Sequence, residues 1–154
     1  MPGTWTLVDK QFTPYYTALT AGTHYTLDST NCSASEVVMQ REGHTVWFRI
    51  SYTTKVDLGD TTANILTLKF STIGLVSLTH TQSIIVGYSD GNNCLSFLHM
   101  AYDTGLLSSR DNHNLNGTKQ LDAGSTVVCI FSQQIATSDM LDANCNRFTW
   151  QRTA

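Results

Sequence analysis

The sequence has little charge, and its charges are dispersed. Only 14% of the residues are Asp, Glu, Lys or Arg, against about 25% in an ordinary globular chain. The nine Lys and Arg residues stand singly, so nothing resembles the basic cluster that neutralises phosphates, and a nucleic-acid partner is not expected. No apolar run approaches the ~18 residues that a spanning helix requires, so membrane insertion is not expected. The N-terminus has no basic start followed by an apolar core, so no secretory leader is expected. The four cysteines, Cys32, Cys94, Cys129 and Cys145, form no C-x-x-C pair, which removes a zinc ribbon and a redox dithiol. No G-x-S-x-G turn, H-E-x-x-H helix or P-loop occurs, so the common hydrolase, metalloprotease and nucleotide signatures are missing. Proline is nearly absent, with two in the chain, so almost every residue keeps a backbone donor for a sheet ladder.

What fills the sequence is short runs of Val, Ile, Thr, Phe, Tyr and Trp cut by Gly, Asn, Asp and Ser. This is the pattern of strands and turns, with no helical period between them. The clearest unit is a hairpin: Glu36 to Gln40, a turn through Arg41-Glu42-Gly43-His44, and a return from Thr45 to Thr53. In the second arm Val46, Phe48, Ile50 and Tyr52 share one face, and Trp47, Arg49 and Ser51 share the other, as a half-buried antiparallel strand requires. Further strands are expected near Trp5, at His24 to Leu27, Asn64 to Phe70, Leu75 to Thr79, Ser83 to Tyr88, Cys94 to Met100, Leu106 to Arg110, Ser125 to Phe131 and Arg147 to Gln151. Tyr15 and Tyr16 fall in a loop or broken strand. Asp28 to Ser35, Asp57 to Asp60, Asp90-Gly91, Asp111 to Gly117 and Leu121 to Gly124 read as turns or loops, and Ser138 to Ala143 as one helical turn. The sum is about nine or ten strands in one domain spanning residues 1–154. Two antiparallel sheets packed as a sandwich or jelly roll is the expected fold, with a closed β-barrel as the alternative.

Candidate chemistry is sparse. The acids sit in turn signals, which is where Asp belongs for local hydrogen bonding. His80 and His99 lie on neighbouring strand candidates and His113 shares a loop with Asp111, but this spacing calls for no metal, and neither metal nor cofactor is expected. Cys94 and Cys129 fall within apolar runs and are expected as buried thiols packed like small hydrophobes. Three pairings remain open if the chain is oxidised. The Asn31-Cys32-Ser33 and Asn116-Gly117-Thr118 triplets match the N-glycosylation acceptor pattern, which has meaning only in a secreted setting. The aromatic residues are expected mainly in the core or at a subunit contact. Trp47 is the exception, because it points away from the apolar side of its strand and must be covered by another layer, another subunit or a ligand.

The run from Val37 to Ile50 (VVMQREGHTVWFRI) resembles a hairpin common in the head domains of phage tail-fibre and baseplate proteins. Gly3-Thr4-Trp5-Thr6-Leu7 resembles the entry strand of such heads. Asp103-Thr104-Gly105-Leu106 and Leu121 to Val127 resemble their turn-strand units. Fibre heads of vertebrate viruses share the same general design. The resemblance implies a homotrimeric, non-enzymatic, C-terminal head on a fibrous stalk of a virion, made in the host cell. It would attach the particle to a host cell-surface receptor, often a saccharide. The resemblance supplies no catalytic residues and no fixed ligand motif.

For the ligand-binding residues, the polar loop from Asp111 to Asn116 is the candidate, with Tyr102 and Asp103 nearby. The predicted set is Tyr102, Asp103, Asp111, Asn112, His113 and Asn114, chosen because Asn, Asp and His side chains on an exposed loop can exchange hydrogen bonds with sugar hydroxyls. The competing class is a lipocalin-like carrier of a small hydrophobic ligand. Gly3-Thr4-Trp5 resembles the G-x-W opening of that barrel family, with Arg147 or Arg152 as the arginine that would cap the tryptophan. A free-standing lectin and a glycan hydrolase complete the alternatives.

Overall fold

The structure is a computed structural model that describes residues 4–6, 15–88, 94–114, 120–136 and 151–153. Its strands are β1 (Thr4–Thr6), β2 (Tyr15–Leu19), β3 (Tyr25–Leu27), β4 (Cys32–Glu42), β5 (Thr45–Thr54), β6 (Ala63–Leu68), β7 (Ser77–Leu78), β8 (Gln82–Tyr88), β9 (Cys94–Met100), β10 (Leu106–Asn114), β11 (Thr126–Ala136) and β12 (Gln151–Thr153). The only helical element among the described residues is one 3-10 turn, Phe70–Ile73. The expected Asp90-Gly91 turn, the helical turn at Ser138 to Ala143 and the last part of the 111–117 loop lie outside the described residues.

Two five-stranded antiparallel sheets pack face to face. The front sheet has the order β3-β6-β10-β9-β8, and the back sheet has the order β2-β4-β5-β11-β7. Both are open, so the fold is the expected sandwich and the closed barrel is set aside. The short β1–β12 ribbon places Trp5 opposite Arg152 in backbone register, but that pairing does not close either main sheet into a lipocalin barrel.

Binary patterning sets the layers. Along β5, Val46, Phe48, Ile50 and Tyr52 are all buried, and on β11 Val127, Cys129 and Phe131 are buried beside them. Phe48 and Phe131 face each other in register and stack with ring centroids 5.4 Å apart. From the front sheet, Leu66, Leu68, Ile84, Val86, Leu98, Met100 and Leu107 complete one continuous apolar core. The β4–β5 hairpin pairs Glu42 with Thr45, leaving a two-residue turn at Gly43-His44. Gly43 takes φ 58° there, the left-handed start that matches the twist of a tight hairpin.

Several boundaries differ from expectation for clear reasons. Cys32 lies in the segment expected as a polar turn, yet it opens β4 and is buried. Burial pushes its thiol up to about 11 and that of Cys129 up to about 12, so both are neutral, poorly nucleophilic thiols at ordinary pH. Tyr15 and Tyr16, read as a loop or broken strand, belong to β2. Phe70, expected at the end of a strand, starts the 3-10 turn, which Gly74 closes with φ 76°. β10 runs four residues beyond the expected Arg110 end, because its polar side chains find partners within the sheet.

Gly105 makes a close backbone approach to β6. It has φ 73°, and a Cβ there would lie 2.4 Å from the Leu68 carbonyl oxygen. At Gly22, φ is 87° but nothing lies within 4 Å of the same added atom. Gly22→Ala is therefore expected to cost about 1 kcal/mol from backbone strain alone, and Gly105→Ala at least twice that, as measured by urea unfolding. Equal losses would show that the β6–β10 contact is not as tight as described.

Candidate functional site

The outer face of the front sheet carries the candidate site, and a β-bulge builds it. β10 pairs with β9 in strict alternation up to Ser109, then its register shifts before Asp111. The extra residue is Arg110. A bulge of this kind lets two successive side chains share one side of a strand. Consequently Leu107, Ser109 and Asn112 turn into the core, while Arg110, Asp111 and His113 turn outward, with Ser108 on their side of the strand but buried.

Arg110 folds back over Ser108. Its Nε donates to Ser108 Oγ across 3.1 Å, and its Nη2 donates to His99 Nδ1 across 2.9 Å. This acceptor role leaves the His99 proton on Nε2. One row along, Asp111 and His113 form their own pair, with His113 Nε2 2.8 Å from Asp111 Oδ2. Phe97 lies opposite Asp111 on β9 and meets the His113 ring edge-on, with centroids 6.2 Å apart. Beside Phe97 in register is Ile85, which is 67% exposed. This is an aromatic and aliphatic platform next to a held guanidinium.

On the other side of β10 the same face opens into a cleft of about 300 Å³ lined by Thr26, Asp28, Ser29, Asn64, Thr67 and Leu106, together with Leu27 and Leu66. Asn64 stands opposite Ser108 in register, so the cleft and Arg110 share one cross-strand row. A second bulge, between Leu107 and Ser108, buries Ile65 and Leu66 together and leaves Asn64 facing out. The Asn64 backbone carbonyl accepts from Asn31 Nδ2 at 2.8 Å, and Asp28 Oδ1 accepts from the Thr30 amide at 3.0 Å. The loop walls are thereby held in place.

The predicted ligand residues do not form one site. Tyr102 and Asp103 occupy the turn between β9 and β10, whereas His113 and Asn114 lie at the far end of β10. The eight steps from Leu106 to Asn114 separate the two groups by about 25 Å at ~3.3 Å per residue. Tyr102 is exposed, and Asp103 uses its carboxylate locally, accepting from the Thr104 amide at 2.9 Å. Asp111 to Asn114 are strand residues, not loop residues.

Asn112 requires the largest correction. It is fully buried. Its Nδ2 donates to the Gly59 carbonyl at 3.0 Å and to Ser109 Oγ at 2.8 Å, while Ser96 Oγ donates to its Oδ1. It is a structural residue that ties β9, β10 and the 57–60 turn together. Asp111 and His113 do reach the outer face, and Asn114 ends β10 opposite Cys94. His99, Arg110 and Ser108 were not predicted for the site, and neither was the cleft around Asn64. The bulge hides them, because strict alternation would send Asp111 and His113 inward with Ser109.

The outer face of the back sheet has a different character. Trp47 and Ile130 are 42% and 60% exposed, and Val128 is also exposed. A shallow groove of about 190 Å³ runs between Val38, Gln40, Trp47, Arg49 and Ile130. The expectation that Trp47 points away from the core is met. The sole described charge pair on this face, Arg49 with Glu36 at 3.6 Å, is solvent-exposed and contributes little.

In comparisons with known proteins, no family model matches the chain, and neither does any curated protein or solved structure.

Asn112→Ala is expected to lower stability by about 2–3 kcal/mol, because it leaves buried hydroxyls and a carbonyl unpaired. His113→Ala on the outer face is expected to cost less than about 1 kcal/mol. Urea denaturation of the two variants checks this, and equal losses would contradict the inward position of Asn112.

Proposed function

We propose that this protein is a non-enzymatic attachment domain that binds host-surface saccharides, the head of a viral or phage fibre. The observation that carries this reading is the outer face of the front sheet. Its cleft gathers Thr26, Asp28, Ser29, Asn64 and Thr67 on one concave surface, with Leu27, Leu66 and Leu106 among them. Hydroxyls and amides both donate and accept, so such a lining complements the alternating donors and acceptors of a sugar. The adjoining Phe97 and Ile85 offer apolar surface for sugar C–H faces. Low overall charge supports this role, because neutral polar groups lose less than ions when a ligand displaces their water.

The fibre context rests on the resemblance of the Val37 to Ile50 hairpin to fibre heads. The back sheet supports assembly of three copies of this chain. Trp47, Val128 and Ile130 leave apolar surface in water on one chain, and an exposed apolar patch rimmed by polar residues is a common sign of a subunit contact. In this arrangement the back sheets face the threefold axis and the front sheets face outward to the receptor.

A glycan array with paired mass measurement tests the proposal. The wild-type chain is expected as a trimer of about 51 kDa, three times 17.0 kDa, and Ile130→Lys is expected to release monomer. Thr67→Val and Asn64→Ala are each expected to weaken the bound glycan about tenfold, the loss of roughly one hydrogen bond of about 1.4 kcal/mol. A wild-type chain that binds no saccharide would refute the saccharide role, and variants that bind undiminished would refute the cleft as its site. A wild-type monomer at micromolar concentration would refute the trimer.

A further inference from the structure

We propose that the front-sheet site is built for an acidic saccharide, with Arg110 as the group that grips its carboxylate. The inference rests on the saccharide-binding reading and specifies its ligand class.

Arg110 is presented in an unusual way for an exposed arginine. A free arginine on a surface loses much side-chain entropy when it engages a ligand. Here that freedom is already restricted. The Nε and Nη2 atoms, which together form the lateral edge of the guanidinium, are held by Ser108 Oγ and His99 Nδ1. Both acceptors are neutral, so neither of them offsets the guanidinium charge. The neighbouring Asp111 on the same face turns only Oδ2 to His113, and its Oδ1 has no hydrogen-bond partner among the described residues. The end-on edge, with Nη1 and the second Nη2 hydrogen, is left without a partner among the described residues. That edge presents two parallel N–H groups, the arrangement that takes a carboxylate in a bidentate pair.

The surroundings fit a sugar that bears the carboxylate. His99 and Phe97 are alternate residues on the same side of β9, so the Arg110 anchor and the Phe97–Ile85 platform lie about 7 Å apart along the strands. This is the scale of one pyranose ring with an exocyclic acid. The ring C–H face can lie on Phe97, whose orientation is fixed by the edge contact with His113, while the acid reaches Arg110. In the opposite direction the row through Ser108 leads to Asn64 and the hydroxyl-lined cleft, where a neighbouring sugar unit would find its hydrogen bonds.

The test uses calorimetric titration of the full chain with glycosides of glucuronic acid and N-acetylneuraminic acid. Their methyl esters, neutral glucosides and sulfated glucosides serve as comparisons. At least one free acid is expected to bind tenfold or more tightly than its methyl ester. Arg110→Gln is expected to abolish that preference, and Arg110→Lys to restore only part of it, since Lys keeps the charge but not the paired geometry. Unchanged thermal unfolding of both variants shows that the sheet is intact. Equal binding of acid and ester, equal binding of sulfated glucosides, or an undiminished preference in Arg110→Gln would overturn the proposal. Retained binding of neutral sugars with no acid preference would leave the saccharide role standing without it. No binding of any glycoside would end both.

Discussion

A single extra residue in β10 decides what the front sheet shows to water. Without the register shift between Ser109 and Asp111, strict alternation would put Asp111 and His113 in the core and Asn112 outside. A buried, unpaired carboxylate would be costly, so the bulge is maintained by what it permits. It brings Asn112 inward, where it contacts Ser96, Ser109 and Gly59. In the bulged register the buried polar groups of Asn112 are matched by Ser96, Ser109 and the Gly59 carbonyl. The same shift sets Arg110 and Asp111 side by side on the outer face, so fold and site depend on one irregularity.

Sequence reasoning worked where alternation is unbroken. β5 is legible because Val46, Phe48, Ile50 and Tyr52 keep period two across the whole strand, and the exposed Trp47 follows from the same count. β11 is legible from Val127 to Phe131, where Val127, Cys129 and Phe131 alternate inward. It failed where polar residues are satisfied inside a sheet. Asp111, Asn112, His113 and Asn114 have loop composition, but their backbone continues a ladder to Cys94. Nothing local in the sequence marks Ser96 and Gly59 as partners for Asn112. Cys32 and the 3-10 turn at Phe70 failed similarly, since each is placed by tertiary burial and not by propensity. The predicted ligand set joined two ends of one strand because a sequence gives proximity along the chain and not the extension of β10.

The two outer faces divide the chemistry of the molecule. The back sheet offers Trp47, Val128 and Ile130 with one weak ion pair, a surface suited to burial against like surfaces. The front sheet offers hydroxyls, an amide, imidazoles and a fixed guanidinium beside an aromatic ring, a surface suited to a hydrated, polar ligand. A low total charge fits the proposed assembly and sugar binding alike, since each requires displacing water from the groups involved. The sandwich core between them is apolar and continuous, so the two outer faces are held apart by one packed layer.

The most direct measurement of the central constraint is hydrogen exchange at the Asn112 side-chain amide, followed by NMR with nuclear Overhauser contacts. The account requires slow exchange, with contacts from Asn112 Nδ2 protons to Gly59 and Ser109. Rapid exchange with solvent, or contacts from His113 to the core residues Leu98 and Leu107, would show that β10 runs without the bulge and that the outer face is not built as described.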